Sequence, residues 1–115
     1  MTGEITHLFE AIDHVGIAVP DLDTAIRFYE STYGMTCAHT ETNDEQGVRE
    51  AMMTVGPADA PHNHIQLLAP LSPESSIAKF LDRSGPGMQQ LAYRARDLNA
   101  CLLYTSDAAD DMQCV

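Results

Sequence analysis

Residues 11–30 read AIDHVGIAVPDLDTAIRFYE, and the parsing of this stretch decides the fold. The segment 12–19 alternates as a half-buried strand does: Asp13, Val15, Ile17 and Val19 share one face, while His14, Gly16 and Ala18 share the other. The first face is bulky and suited to packing on a helix. The second is stripped to small side chains around one imidazole, which leaves room for something else. Pro20-Asp21 ends the strand, and Asp21 or Asp23 can cap a following helix. Leu22, Ala25, Ile26, Tyr29 and Tyr33 form one apolar stripe at helical spacing, and Gly34 is a natural stop.

Working outward, MTCAHTETN (35–43) reads as a strand, DEQG (44–47) as a polar turn and VREAMMTV (48–55) as a third strand. The Gly, Pro and Asp content of GPADAPHN (56–63) marks a loop. HIQLLAPL (64–71) is a fourth strand, with His64, Gln66 and Leu68 on one face. SPESSIAKFLDRSGPG (72–87) predicts a short helix with Ser72 as its N-cap and Pro73 as its first residue. MQQLAYRA (88–95) returns to strand. The expected class is α+β, one complete βαβββ module over 9–71, a helical linker over 72–87, and the first strand of a second module over 88–100.

A second module is expected because the chain repeats itself. IDHVGIAVPDLD (12–23) and MQQLAYRARDLN (88–99) align at an offset of 76 positions. His14 then aligns with Gln90, Gly16 with Ala92, and Asp21-Leu22 with Asp97-Leu98, so a polar residue, a small residue and a helix start recur in order. The helix that should follow Leu98 does not arrive. Instead CLLYTSDAAD (101–110) resembles the translation of the transposase mosaic-end adapter used in sequencing-library preparation. The expectation is a non-native tail over 101–115 and a C-terminal truncation of the natural protein.

The bulk properties exclude several classes of partner. With 115 residues the chain is one domain, and a formal charge of −11 with six Lys and Arg disfavours nucleic acid or an anionic membrane. The chain stays acidic without Asp107, Asp110 and Asp111 of the tail. Any anionic ligand therefore needs a local cationic device, and a metal ion would serve. Cys37, Cys101 and Cys114 are too few and too irregular for a disulfide framework, which suggests a reducing compartment. No secretory leader or membrane-spanning run is evident, so a cytoplasmic, soluble domain is expected.

Chemistry could sit where the two inward strand faces meet. His14 and Gln90 project there from equivalent positions, and Gln66 has the same parity. One imidazole nitrogen and two amide oxygens would suit a borderline divalent ion such as Co²⁺, Mn²⁺ or Zn²⁺. Equally, a lone strand histidine is commonly a structural, hydrogen-bonded residue. Glu50 stands in an otherwise apolar strand and is either exposed at an edge or held in a partly dry cleft, where its pKa would rise toward that of a general base. His39, His62 and His64 have loop or surface readings, and His7 lies in an N-terminal tail.

Together, IDHVGIAVPDLDTAIRFYESTYGM, EQGVREAMM and HIQLLAPLSPESSIAKFLDRSGPGMQQLAYR resemble the methylmalonyl-CoA epimerase family of the vicinal oxygen chelate (glyoxalase/bleomycin resistance) superfamily, over about residues 9–100. The resemblance implies the vicinal oxygen chelate fold. It implies that His14 and Gln66 are metal ligands and that Glu50 is a catalytic carboxylate. Gln90 falls where the family carries the second His of an HH pair, here replaced by Gln89-Gln90, and would be a substituted ligand. The family's second catalytic carboxylate has no counterpart in this chain. The implied substrate is methylmalonyl-CoA, epimerised at C2 with a divalent metal, Co²⁺ foremost, by a cytoplasmic homodimer in the full-length form. Little or no epimerase activity is expected of this chain alone. The alternative is a metal-free module of the same superfamily that sequesters a small molecule; it would not need His14 and Gln66 together, nor a carboxylate at Glu50.

Overall fold

In the computed structural model, residues 8–57, 64–99 and 112–115 are described. Strand β1 (Phe9–Ala18) leads into helix α1 (Leu22–Tyr33), then β2 (Thr36–Asn43), β3 (Val48–Thr54) and β4 (His64–Pro70). Helix α2 (Ser76–Ser84), β5 (Gly87–Ala95) and a short β6 (Met112–Cys114) follow. The strands form one sheet in the order β2-β3-β4-β1-β5-β6. This is the α+β architecture expected from the alternation of strand and helix periods.

Asp21 caps α1, its Oδ2 accepting from the Thr24 backbone N–H at 2.9 Å, and Gly34 closes the helix with φ 69°. The apolar stripe of α1 packs on one face of the sheet, where Leu22 meets Val19, Ala51, Met53, Leu67 and Ala69. Ile17 joins this cluster, as the bulky face of β1 predicts. On the opposite face α2 packs Ile77, Phe80 and Leu81 against Ala18, Val48 and Leu68. The cap of α2 differs from expectation: Ser75, not Ser72, accepts from the Ala78 N–H, at 3.1 Å. Pro73 and Glu74 are spent in a turn closed by the Ser75 N–H on the Ser72 carbonyl, so the helix starts one turn later.

β1 is the hub. It pairs in parallel with β4 and antiparallel with β5. The β1–β5 register places Val15 opposite Leu91, two residues separated by the same 76 positions as the sequence repeat. The local two-fold therefore passes through that pair, and each polar residue faces the small residue of the other strand. His14 lies opposite Ala92, and Gln90 lies opposite Gly16. The need for glycine is steric. A Cβ on residue 16 would collide with Gln90 Cγ and lie 3.0 Å from its Cδ.

The outer edge of β5 is covered by β6, which pairs with it in parallel at Leu91–Tyr93. Cysteine behaves differently from its count: Cys37 is free, but Cys114 is disulfide-bonded. Residues 101–111 of the expected tail lie outside the described residues. No described helix is long and apolar enough to cross a membrane.

The β1–β5 contact predicts a coupled pair of substitutions. Gly16→Ala should destabilise by about 1–3 kcal/mol, the usual cost of overpacking. Gln90→Ala in the same chain should recover most of that loss, because it removes the colliding carbons. Chemical denaturation of both single variants and the double variant measures the coupling, and additive losses would refute the contact.

Candidate active site

His14 is set by an irregularity in β1. Ile12 pairs with Tyr93 and His14 with Ala92, so Asp13 is the extra residue of a bulge. Adjacent strand side chains normally point to opposite faces, but here the Asp13 carboxylate lies 2.7 Å from His14 Nδ1. Arg94 on β5 donates to the other Asp13 oxygen. Burial works against the charged form of Asp13, yet the hydrogen bonds from His14 and Arg94, with the charge of Arg94, bring its pKa below the ordinary 3.8. An ionised carboxylate only accepts, so Nδ1 carries a proton, and in the neutral imidazole Nε2 presents a lone pair. His14 is only 8% exposed, and its Nε2 is buried without a hydrogen-bond partner.

Nε2 belongs to a residue lining a cleft of about 500 Å³ on the α2 side of the sheet. The polar wall is made by His14, Glu50, Gln66, Gln89 and Gln90, with Gln46 from the β2–β3 turn. Val48, Leu68 and Ile77 supply the apolar wall. Gln66 and Gln90 reach each other, the Gln90 amide N–H donating to Gln66 Oε1 at 2.9 Å. Glu50 is partly buried, and its pKa is raised above 4.5. Burial is the main cause. The like charge of Glu41, directly opposite on β2, adds to it, while His14 and His39 oppose it.

The four residues singled out in the sequence, His14, Glu50, Gln66 and Gln90, thus line one cleft. Gln46, Gln89 and Glu41 were missed. Gln46 was visible only as part of a polar turn, and Glu41 only as a polar residue of an exposed strand. Strict alternation would put Gln89 on the far face, but Gly16 pairs with Gln90 while Ile17 pairs with Met88. Gln89 is therefore bulged and lines the cleft beside its neighbour. His39 lies exposed on β2 and bonds Glu41 at 3.1 Å; His64 begins β4, 3.5 Å from Thr54 Oγ1. His7 and His62 lie outside the described residues.

Among the described residues no three His, Cys, Asp or Glu side chains gather as a metal cluster. The cleft instead offers one imidazole lone pair and amide oxygens, a neutral donor set. That chemistry fits a borderline divalent ion completed by ligand or solvent oxygens, and the orphaned Nε2 is the observation in its favour.

The sequence profile of the Glyoxalase/Bleomycin resistance protein/Dioxygenase superfamily matches residues 13–108. The crystal structure of methylmalonyl-CoA epimerase from Mycobacterium tuberculosis is 50% identical with a TM-score of 0.77, over 92% of this chain and 67% of that one. A variant of the Streptomyces coelicolor methylmalonyl-CoA epimerase in complex with 2-nitronate-propionyl-CoA is 39% identical with a TM-score of 0.77, over 86% of this chain and 71% of that one. The mitochondrial methylmalonyl-CoA epimerase of Homo sapiens is 31% identical over 90% of this chain and 56% of its own length. The chain spans between 49% and 63% of the length of the curated epimerases it matches.

Two stability measurements check the electrostatics. The lowered pKa of Asp13 gives stability that is present above pH 3.8 and lost as the pH falls through its folded value. Asp13→Asn should therefore cost about 1–3 kcal/mol at pH 7 in urea denaturation, with the difference shrinking below pH 3.8. Glu50 has the opposite sign: its raised pKa means that stability falls as the pH rises from 4.5 through its folded value. Glu50→Gln should melt at a higher temperature than the parent at pH 7, and the two should converge near pH 4.

Proposed function

We propose, from the premise that this chain belongs to the glyoxalase/bleomycin resistance protein/dioxygenase superfamily, that its cleft serves the epimerisation of (2R)- and (2S)-methylmalonyl-CoA. One observation carries the reading. Glu50, a carboxylate of raised proton affinity, lines the same cleft as the buried, unpartnered Nε2 of His14. The Mycobacterium and Streptomyces relatives support the substrate class, the latter holding an acyl-CoA analogue.

Epimerisation at C2 removes a proton alpha to a thioester and returns one on the other face. Glu50 is the base that takes the proton: its raised pKa makes it a stronger acceptor than an ordinary carboxylate. Glu41 keeps that affinity high by like-charge repulsion across the β2–β3 pair. Asp13, anchored by Arg94, holds the His14 imidazole with its Nε2 lone pair free. His14 Nε2, Gln66 Oε1 and a glutamine oxygen of β5 would hold a divalent ion, Co²⁺ first, with Mn²⁺ and Zn²⁺ as alternatives. When bound, the ion supplies electrostatic stabilisation for the negative charge that develops on the thioester oxygen. Val48, Leu68 and Ile77 give the cleft an apolar part beside these polar groups.

Glu41 pairs with Glu50 across β2–β3 but is exposed, so among the described residues Glu50 is the carboxylate that lines the cleft. The alternative, a metal-free sequestering module, gives no use to a carboxylate of raised proton affinity at Glu50 or to a buried imidazole nitrogen without a hydrogen-bond partner.

Proton exchange tests the reading. With methylmalonyl-CoA in D₂O and added Co²⁺, this chain should introduce deuterium at C2 faster than it converts one epimer into the other. Glu50→Gln should lower that exchange by about 10²–10⁴-fold, the range of general-base contributions. Exchange that survives the substitution unchanged would remove Glu50 from the mechanism.

A further inference from the structure

The carbon that Glu50 attacks carries an alkyl group as well as a proton, and that group needs a place in the cleft. We propose that Val48, Leu68 and Ile77 form the seat for the alkyl substituent at C2 of a malonyl thioester, and that Ile77 on α2 sets how long that substituent can be. This rests on the reading of Glu50 as the base of the cleft.

Three observations converge. First, the seat borders the base. Leu68 lies directly opposite Glu50 in the β3–β4 ladder, and Val48 stands two positions before Glu50 on the same face of β3. A carbon that gives its proton to Glu50 is therefore within reach of both. Second, the cleft is divided by polarity. His14, Gln66, Gln89 and Gln90 bring nitrogen and amide oxygen from β1, β4 and β5, whereas Val48, Leu68 and Ile77 are its apolar lining residues. A malonyl thioester has the same division about C2: two carbonyl groups that need polar partners, and one alkyl group that gains by leaving water. Third, the depth of the seat is fixed by α2. Val48, Leu68 and Ile77 belong to one buried cluster with Ala18 and are 3%, 5% and 4% exposed. The cap of α2 abuts the turn before β3, where a Cβ on residue 47 would stand 3.1 Å from Ser75 Cβ. The same turn is tied to the end of β4, the Leu71 N–H donating to the Gly47 carbonyl at 2.8 Å. Val48 and Leu68 are locked into the sheet by their ladder, so Ile77 is the member that can be shortened without disturbing a strand.

Binding of methylmalonyl-, ethylmalonyl- and propylmalonyl-CoA to the full chain with added Co²⁺, followed by titration calorimetry, reads the size of the seat. The parent should hold the methyl thioester roughly tenfold tighter than the ethyl one, the scale of one methylene in a limited apolar pocket. Ile77→Ala should bring that ratio to about one or invert it, and should admit the propyl thioester. Ile77→Val should move the ratio the same way by less, and it removes too little to prevent folding, which circular dichroism checks. Ile26→Ala truncates α1 on the opposite face of the sheet and should leave the ratio unchanged, which separates a local seat from general loosening. Equal binding of methyl and ethyl thioesters by the parent, a ratio that the Ile77 variants do not move, or an equal shift in Ile26→Ala overturns the seat. Each of these leaves the epimerase reading intact as long as methylmalonyl-CoA binds. Failure of the parent to bind any of the three thioesters overturns that reading and the seat with it.

Discussion

The close pairing of β1 and β5 about Val15 and Leu91 is the constraint on which everything else hangs. It joins two strands of similar pattern, so each polar residue falls opposite the small residue of its counterpart. Gly16 lets Gln90 lie flat across β1, and Ala92, fully buried, leaves the space opposite His14. Bulky residues at either small position would push the strands apart or push the polar side chains out of the cleft. The same pairing brings Arg94 to Asp13, so the hydrogen-bonding partner of the imidazole is held by the neighbouring strand. Fold and site are thus not separable here: the strand pair at the middle of the sheet also holds the carboxylate that meets His14 Nδ1.

Charge is distributed in the cleft by position more than by number. The chain is strongly acidic, yet the cleft wall is mostly neutral amide and imidazole, with Glu50 the charged group that lines it. The partnered charges lie behind and beside it: Arg94 on Asp13 behind the imidazole, and Glu41, in contact with His39, at the exposed edge. Glu50 sits between the dry interior and that wet edge. Burial raises its proton affinity, and the like charge of Glu41 on the edge strand adds to it.

Most of the fold was legible because its signals are periodic. The apolar stripe of α1, the capping Asp21, the αL Gly34 and the alternation of β3 and β4 each follow from local rules that the tertiary structure does not override. His14, Gln66, Glu50 and Gln90 could be collected on one side for the same reason: parity in a strand is conserved as long as the strand is regular. The start of α2 was misplaced because Ser72 and Ser75 are both competent caps, and only the turn at Pro73-Glu74 chooses between them. Gln89 and the contact of Asp13 with His14 were illegible for a deeper reason. A bulge is a property of two paired strands, and neither strand shows in its own sequence that one residue will be skipped.

That limit has a consequence for how such sites are read. Alternation assigns a residue to a face with an error that is all or nothing, since one skipped residue reverses the assignment of its neighbour. In this sheet the β1 skip at Asp13 and the β5 skip at Gln89 both stand beside a residue of the cleft, and at Asp13 the effect is to put two adjacent side chains in contact. A regular β1 would give the imidazole no adjacent carboxylate, and Nδ1 would need its partner from another strand. The bulge therefore does locally what the sheet cannot do by pairing alone: it makes neighbours in sequence into neighbours in function. An internal repeat can expose such a device where single-strand parity cannot, because an irregularity that recurs at the repeat distance of 76 positions is a feature of the architecture and not an accident of one strand.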